Sequence, residues 1–438
     1  MENMQNDFND LVEQYLGAPL PQNLAASINY QKFPPDTQAF IRRMLVLMKR
    51  AGYCVEQFNL ALMRWLSVTI PTNLPRAWGG RIPPITLPGR HQKLDAYVAH
   101  EYRPPFANAP VYVDIGCGFP PVTTADTARA LPDWQIYGVD RSFADYVLYD
   151  EAGHYACFDH NREFQYFQAT IDPSGRALYE DPSGTRQRFE SLYADLAPRL
   201  PESDENVSQR IEKDGNRLIQ NHIRDFETDN LTLIKNDLME LDLPPAMVIR
   251  CMNILIYFDI KSRKKMLAHT GKLLDDEGML IVGTNGYSIQ TRYAIYRKNN
   301  DGLSPTEFAF SLDNLGHIVF MPWFTMHEND PEAMLLAGLA GTARRDRQFW
   351  QSFSGRLDEL LKTQGVCARG SDGFLQPLTE ELTLVEYFQK NAAIWRQLED
   401  EGYPGRTVEA LERAGYKAWI NGVGDIAIEP QPGILPMG

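Results

Sequence analysis

Val111-Tyr112-Val113-Asp114-Ile115-Gly116-Cys117-Gly118-Phe119-Pro120-Pro121 is the stretch that decides how this chain folds. Its apolar start makes a short buried strand. Two glycines one residue apart then form a turn where backbone comes close to a ligand, because no Cβ stands in the way. Thr123 to Ala130 continues as a helix, and Trp134 to Val139 as a second strand. Strand, glycine turn, helix, strand is the βαβ unit of an open parallel sheet. Ligands of such sheets lie beyond the carboxyl ends of the strands. A pyrophosphate would want a third glycine and a helix N-terminus rich in amides. Phe119-Pro120-Pro121 supplies prolines instead, which have no amide to donate. The loop therefore suits a ligand without phosphate, and Asp114 at the strand end suits a cationic one.

Further motifs follow at the ends of later strands. Gly138-Val139-Asp140-Arg141 puts a carboxylate 24 positions after Gly116. That is close to the separation of about 20 residues at which such folds place a ribose-hydroxyl acceptor. A carboxylate has the lone pairs to accept both hydroxyls. After the strand Leu231 to Ile234 comes Lys235-Asn236-Asp237-Leu238, whose Asn-Asp pair matches an adenine amino group and ring nitrogen. A strand Met247 to Ile249 leads into Arg250-Cys251-Met252-Asn253-Ile254-Leu255-Ile256-Tyr257-Phe258. Asn253 falls at the carboxyl end of that strand. Ile260 to Leu274 has the spacing of an amphipathic helix, Asp275 to Gly278 reads as a turn, and Met279 to Val282 as the next strand.

In this order the motifs Asp114 to Gly118, Gly138 to Asp140, Asn236 to Leu238, Asn253 to Asp259 and Asp275 to Gly283 resemble the class I methyltransferases that use S-adenosyl-L-methionine (SAM). The stretch Asn253 to Asp259, with the Ser262-Arg263-x-x-x-Leu267 helix after it, is similar to the chemotaxis-receptor (CheR-type) enzymes of that class. The resemblance covers about Pro110 to Arg297. It implies an α/β fold with a Rossmann-like, seven-stranded, mostly parallel sheet. It also implies a helical N-terminal extension and a long insertion. Both flank the cofactor motifs and carry many aromatics, so together they are expected to form a lid over the ligand crevice, while the extra C-terminal helices have no counterpart in that group. The expected division is 1–105 as a helical region and connector, 106–300 as the SAM-binding domain with an insertion at 155–229, and 301–438 as a mainly helical extension.

By the same resemblance Asp114, Ile115, Gly116, Cys117 and Gly118 line the methionine moiety. Asp140 with Arg141 holds the ribose, and Asn236, Asp237 and Leu238 hold the adenine. Asn253 faces both cofactor and substrate, and Asn253 and Tyr257 are the catalytic candidates. Other groups that could take a proton are His154, Tyr146 and Tyr293. The chain departs from the receptor enzymes in sequence at two places. They have Cys-Arg-Asn where this chain has Cys251-Met252-Asn253, with an arginine at Arg250 instead. The N-terminal helix is also acidic rather than basic. The expected reaction is therefore methyl transfer to a small molecule. The alternatives are SAM cleavage, intramolecular cyclisation, or methylation of a protein or peptide carboxylate.

The rest of the sequence bounds this reading. Of 438 residues, 44% are hydrophobic and 23% charged, as in a globular enzyme. The net charge of -14 repels a polyanion, so nucleic acid is not an expected partner. Cys54, Cys117, Cys157, Cys251 and Cys367 are odd in number and irregularly spaced, which fits reduced thiols and a cytoplasmic protein. No apolar run reaches the length of a membrane span. His154 to His160 matches no zinc spacing, so no metal is expected. Phe8, Leu11, Val12 and Tyr15 recur at helical spacing, as do Phe40, Met44, Leu47 and Met48, and then Phe58 to Leu66. Pro34-Pro35-Asp36 marks a helix start. Pro71 to Pro105 reads as an irregular connector. Tyr155 to Asp229 reads as a hairpin about the turn Asp172 to Gly175, then helix, with Arg199 to Asn216 solvated. Helices are expected near Pro331 to Ala340, Arg345 to Thr363 and Leu382 to Glu401, and a loose tail from Glu429. The oligomeric state is not legible.

Overall fold

The structure, a computed structural model, describes residues 7–26, 28–58, 88–103, 108–170, 178, 181–201, 207–286, 291–300, 302–316, 325–378, 382 and 384–437. Part of the Pro71 to Pro105 connector, the helical spacing from Leu60 to Leu66, and the turn Asp172 to Gly175 lie outside them. The described part of the connector is not irregular throughout, since Gln92–Glu101 is a helix. The described residues form two compact units, one within 68–91 and 107–242, the other within 1–67, 92–106 and 243–438.

In the first unit β1 (Val111–Ile115) and β2 (Gln135–Val139) are parallel, joined by the helix Val122–Ala130. β1 is buried at four of its five positions, as an apolar strand covered on both faces requires. The connection from β2 onward is not a single crossover. It contains β3 (Tyr146–Tyr149), β4 (Tyr155–Phe158), β5 (Phe164–Gln168), β6 (Gln209–Lys213) and β7 (Asn216–Gln220). These make a separate antiparallel sheet in the order β5-β4-β3-β7-β6. The helix Pro182–Leu196 closes its apolar face, where Leu148, Phe158, Phe167, Phe189, Leu196 and Leu218 pack together. After this insertion β8 (Leu231–Ile234) returns to pair in parallel with β2.

Two expectations need correction here. The insertion begins at Tyr146 rather than Tyr155, and the expected helix, Pro182–Leu196, packs on a five-stranded sheet rather than following a lone hairpin. The charged segment 199–216 is not all solvated loop. Gln209–Lys213 alternates half-buried and exposed residues, the pattern of a strand with one wet face, and pairs with β7.

In the second unit β9 (Ala246–Met252) and β10 (Leu274–Asn285) are parallel, with the helix Ile260–Leu273 between them. Asp259 caps that helix, accepting from the Ser262 amide at 2.8 Å. The expected turn at Asp275 to Gly278 is a register shift inside β10, with Glu277 at φ 63°. β11 (Thr291–Asn299), β12 (Gly302–Phe310), β16 (Ile426–Ile428) and β15 (Ala418–Ile420) add on antiparallel in that order. Among the described residues these strands and the three parallel ones number more than the seven expected, because 302–428 supplies strands as well as helices. The short pair β13 (Cys367–Arg369) and β14 (Leu375–Pro377) stands apart.

The N-terminal helices belong to the core of this second unit. Pro35–Arg50 begins on the anticipated proline and buries Phe40, Ile41, Met44, Leu45, Leu47 and Met48. It packs on the helix Pro331–Arg345, and Arg50 Nε donates to the Met334 carbonyl at 3.0 Å. Arg344 donates to Gln57 Oε1 at 2.8 Å and lies 4.0 Å over the Tyr53 ring. Helices Arg347–Thr363 and Leu384–Asp400 follow as expected. The end is less loose than the sequence implies, since Glu429 bonds the Lys417 carbonyl and Leu435 is buried. No described helix is long and apolar enough to cross a membrane.

Candidate functional site

The strand registers line up three of the predicted motifs. Ile115 pairs with Val139 and Val139 with Ile234, so Gly116, Asp140 and Lys235 leave the same edge of β1, β2 and β8 side by side. All three strands are parallel, so this is their carboxyl edge, where open α/β sheets take ligands.

Gly116 has φ 70° and Gly118 φ 72°, a region that glycine enters without a Cβ penalty. The Gly116 amide donates to the Val139 carbonyl at 2.7 Å, which ties the loop to β2. The Gly118 amide donates to Asp140 Oδ2 at 2.9 Å. Asp140 Oδ1 accepts from the Ser142 amide at 2.7 Å and from its hydroxyl at 2.5 Å. A carboxylate offers about four lone-pair sites. Three are therefore used within the protein, and a ribose diol would take the last one or displace the Ser142 hydroxyl. Gly138 must be glycine for packing: a Cβ there would stand 2.6 Å from Leu233 Cδ2 and 3.0 Å from Thr124 Cγ2.

The Asp114 side chain is buried and accepts from Thr124 Oγ1 at 2.6 Å. Its carboxylate thus anchors the first turn of the helix Val122–Ala130. Ile115 and Cys117 are buried behind the loop. Burial first, and then the Asp140 and Asp114 carboxylates, push the Cys117 thiol well above its ordinary range, so it stays protonated. Beyond β8, Asn236 Oδ1 accepts from the Asp237 amide at 2.8 Å, and Asp237 Oδ1 from Met239 N at 3.0 Å. Leu238 is buried within that short turn. Arg141 is exposed and lies 3.7 Å from Asp237 Oδ2.

Asn253 and Tyr257 belong to the other unit. Asn253 has φ 61° and is held by Asn285, donating to its Oδ1 at 2.7 Å and accepting from its amide at 3.1 Å. Tyr257 is 38% exposed, and its carbonyl is 2.9 Å from Nε2 of His327. Arg250, conspicuous in the sequence, is fully buried and pairs with Asp95 at 2.9 Å. Its place is structural. Of the other proton-accepting candidates, His154 Nδ1 contacts the Thr170 amide at 3.1 Å, and the Tyr293 hydroxyl accepts from Asn421 at 2.8 Å. Tyr146 is in the core of the insertion sheet.

Sequence reasoning missed the surroundings of Phe119, the residue after Gly118. Its ring meets Tyr155 at 5.8 Å, His222 at 5.5 Å and Phe226 at 6.2 Å, all edge-on. The insertion thus supplies an aromatic cluster against the exit of the glycine loop. The only sequence signal was His222-x-x-Asp225, a spacing that helices and turns often show. Two cavities among the described residues of this unit, about 450 Å³ and 370 Å³, have no residue of the glycine loop in their lining. Among the described residues no group of three His, Cys, Asp or Glu is placed to hold a metal.

No family profile and no curated protein matches the chain. Among solved structures it is similar to magnesium protoporphyrin IX methyltransferase of Synechocystis PCC 6803 with bound SAM, at 13% identity and a TM-score of 0.22. That match covers 44% of this chain and 57% of the other, so the chain spans little more than half the length of that enzyme. The sugar N-methyltransferase KedS8 of Streptoalloteichus sp ATCC 53650 matches at 12% identity over 50% of this chain and 69% of its own, with a TM-score of 0.23. The O-methyltransferase family 2 protein of Planctomyces limnophilus DSM 3776, in complex with apigenin, matches at 13% over 60% and 48%, with a TM-score of 0.20. Likeness at this level carries no argument about what the present chain does.

Proposed function

We propose that the chain is an enzyme that binds SAM at the carboxyl edge of β1, β2 and β8 and methylates a small molecule. The observation that carries this reading is the loop with left-handed Gly116 and Gly118, fastened to Asp140 one strand away and followed by two prolines. Such a loop admits a ligand close to its backbone and offers few amides to a phosphate. When bound, SAM supplies an electrophilic methyl group on a sulfonium.

In this reading Ile115 to Gly118 line the methionine moiety and Asp114 attracts its amino group. Asp140 with Arg141 takes the ribose, using the lone-pair capacity that Gly118 and Ser142 leave. Asn236, Asp237 and Leu238 border the adenine. Asn253 and Tyr257 are retained as catalytic candidates on the sequence resemblance alone. So is the CheR-type character of the core. The insertion serves as a lid, a role supported by its ring contacts with Phe119. The net charge of -14 favours a small acceptor over nucleic acid. Five cysteines without a disulfide suit a reducing compartment such as the cytoplasm.

Calorimetry with SAM, and detection of S-adenosylhomocysteine after incubation with a metabolite extract, test the proposal. Binding with S-adenosylhomocysteine release is expected. Release of methylthioadenosine instead would mean attack on the methionine chain, and absence of SAM binding would end the reading.

A further inference from the structure

Asp225, His222 and Tyr149 form a carboxylate–imidazole–phenol chain in the unit that carries the glycine loop. His222 Nδ1 lies 2.8 Å from Asp225 Oδ2, and Nε2 lies 3.1 Å from the Tyr149 hydroxyl. An ionised carboxylate only accepts, so the imidazole proton facing it sits on Nδ1. Nε2 then presents its lone pair, and the Tyr149 hydroxyl donates to it. The phenol oxygen keeps lone pairs that a further donor can address.

The position of this chain of groups is specific. His222 and Asp225 share the short turn His222–Phe226, and Tyr149 ends β3. The His222 ring is edge-on to Phe119, one residue beyond Gly118. Tyr149 meets His222 and Tyr155, each with ring centroids 5.6 Å away. His222 is buried between Tyr149, which is half-buried, and Asp225, which is exposed, so the phenol is the end that faces away from the carboxylate. The charged groups that face the imidazole are Asp225, Arg217 on β7 and Arg210 on β6. Arg217 lies 5.0 Å over the Tyr149 ring, and Arg210 pairs with Asp225 at 3.1 Å. Burial holds the imidazole below its ordinary range, Asp225 opposes this, and the two arginines add to the lowering. The ring is therefore neutral at pH 7 and able to take a proton.

We propose that Tyr149 and His222 are the proton exit for a hydroxyl-bearing aromatic acceptor, a phenol, lodged against the ring cluster around Phe119, with Asp225 as positioning residue. This rests on the SAM reading above. The acceptor hydroxyl gives its proton to the Tyr149 oxygen as Tyr149 passes its own to Nε2 of His222. The acceptor oxygen bonds the methyl carbon, and the carbon–sulfur bond breaks with its electron pair left on sulfur. The positive charge of the sulfonium is thereby replaced by that of the imidazolium, which Asp225 balances. Charge and atoms are conserved with no further reactant.

The test uses the full chain labelled with 15N at histidine, with phenol itself as the probe. His222→Gln assigns the His222 ring signals by their loss. The expected results are a neutral Nδ1–H tautomer at pH 7, titration below the ordinary histidine range, and a shift of the Nε2 signal on addition of phenol. Tyr149→Phe should abolish the phenol response without changing the tautomer. Asp225→Asn should move the proton to Nε2. An Nε2–H tautomer in the wild type, or an Nε2 signal indifferent to phenol, overturns the proposal. Calorimetry with SAM on the wild type and on Tyr149→Phe separates the two readings, and both should bind within about twofold of each other. Failure of the wild type to bind SAM removes the cofactor reading, while the tautomer and the phenol response still judge the proton path.

Discussion

The Gly118 amide and the Asp140 carboxylate are joined by a hydrogen bond of 2.9 Å across the gap between the loop after β1 and the end of β2. The carboxylate therefore shapes the glycine loop before it meets any ligand. Asp140→Ala should strand the Gly118 and Ser142 donors, costing on the order of 1–3 kcal/mol of stability. It should also weaken SAM binding by tenfold or more, about 1.4 kcal/mol. Urea denaturation and calorimetry measure the two effects. Undiminished affinity would refute the ribose assignment.

Arg250 and Asp95 test the second unit. Both are buried, and Arg250 Nη1 donates to Asp95 Oδ1 at 2.9 Å. Removing the carboxylate deprives a buried guanidinium of this counter-charge, which costs about 3–5 kcal/mol in comparable pairs. Asp95→Ala is expected to lower the free energy of unfolding, read from urea denaturation, by that amount. A change below 1 kcal/mol, on the order of a surface pair, would show that Arg250 relies on other partners.

Asp313 predicts a pH dependence. Burial pushes its carboxyl from the ordinary 3.8 up to about 7, against the pull of a Ser311 hydrogen bond and of Lys93, while Glu399 and Asp425 add to the rise. The folded state thus keeps a proton that the unfolded chain releases. Stability from this group is present below pH 4 and is lost as pH rises toward 7. Asp313→Asn cannot ionise. Its stability relative to the wild type should grow between pH 4 and 7, by at most about 1.4 kcal/mol per pH unit. A constant difference across that window would contradict the assignment.

The helix Pro35–Arg50 places six apolar side chains in the core of the second unit. A chain lacking residues 1–58 would expose their partners on Pro331–Arg345. It is expected to lose cooperative unfolding of that unit in calorimetric melts, because a core stripped of a whole helix face loses more than its marginal stability. Retention of a sharp transition would show the helices to be an appendage.

The apolar strands Val111–Ile115 and Leu231–Ile234, the helix Val122–Ala130 and the proline start of Pro35–Arg50 were legible because period and punctuation are local. The antiparallel sheet of the insertion was not. Its strands pair across as many as 74 positions, as Tyr146 does with Gln220, and nothing local announces a partner so distant. Arg250 shows the same limit. The sequence shows only an arginine close to Asn253, and Asp95, 155 positions earlier, reveals it as half of a buried ion pair.

Sequence alone determined the glycine loop, the carboxylate that follows β2 and the prolines that turn the loop away from phosphate, since each depends on residue type and spacing along one βαβ unit. The tertiary structure decided the rest. It aligned Gly116, Asp140 and Lys235 on one strand edge, bound Asp140 to Gly118, and set His222 against Phe119. Those relationships join residues far apart in the chain, and only the pairing of strands and the burial of rings brings them within reach.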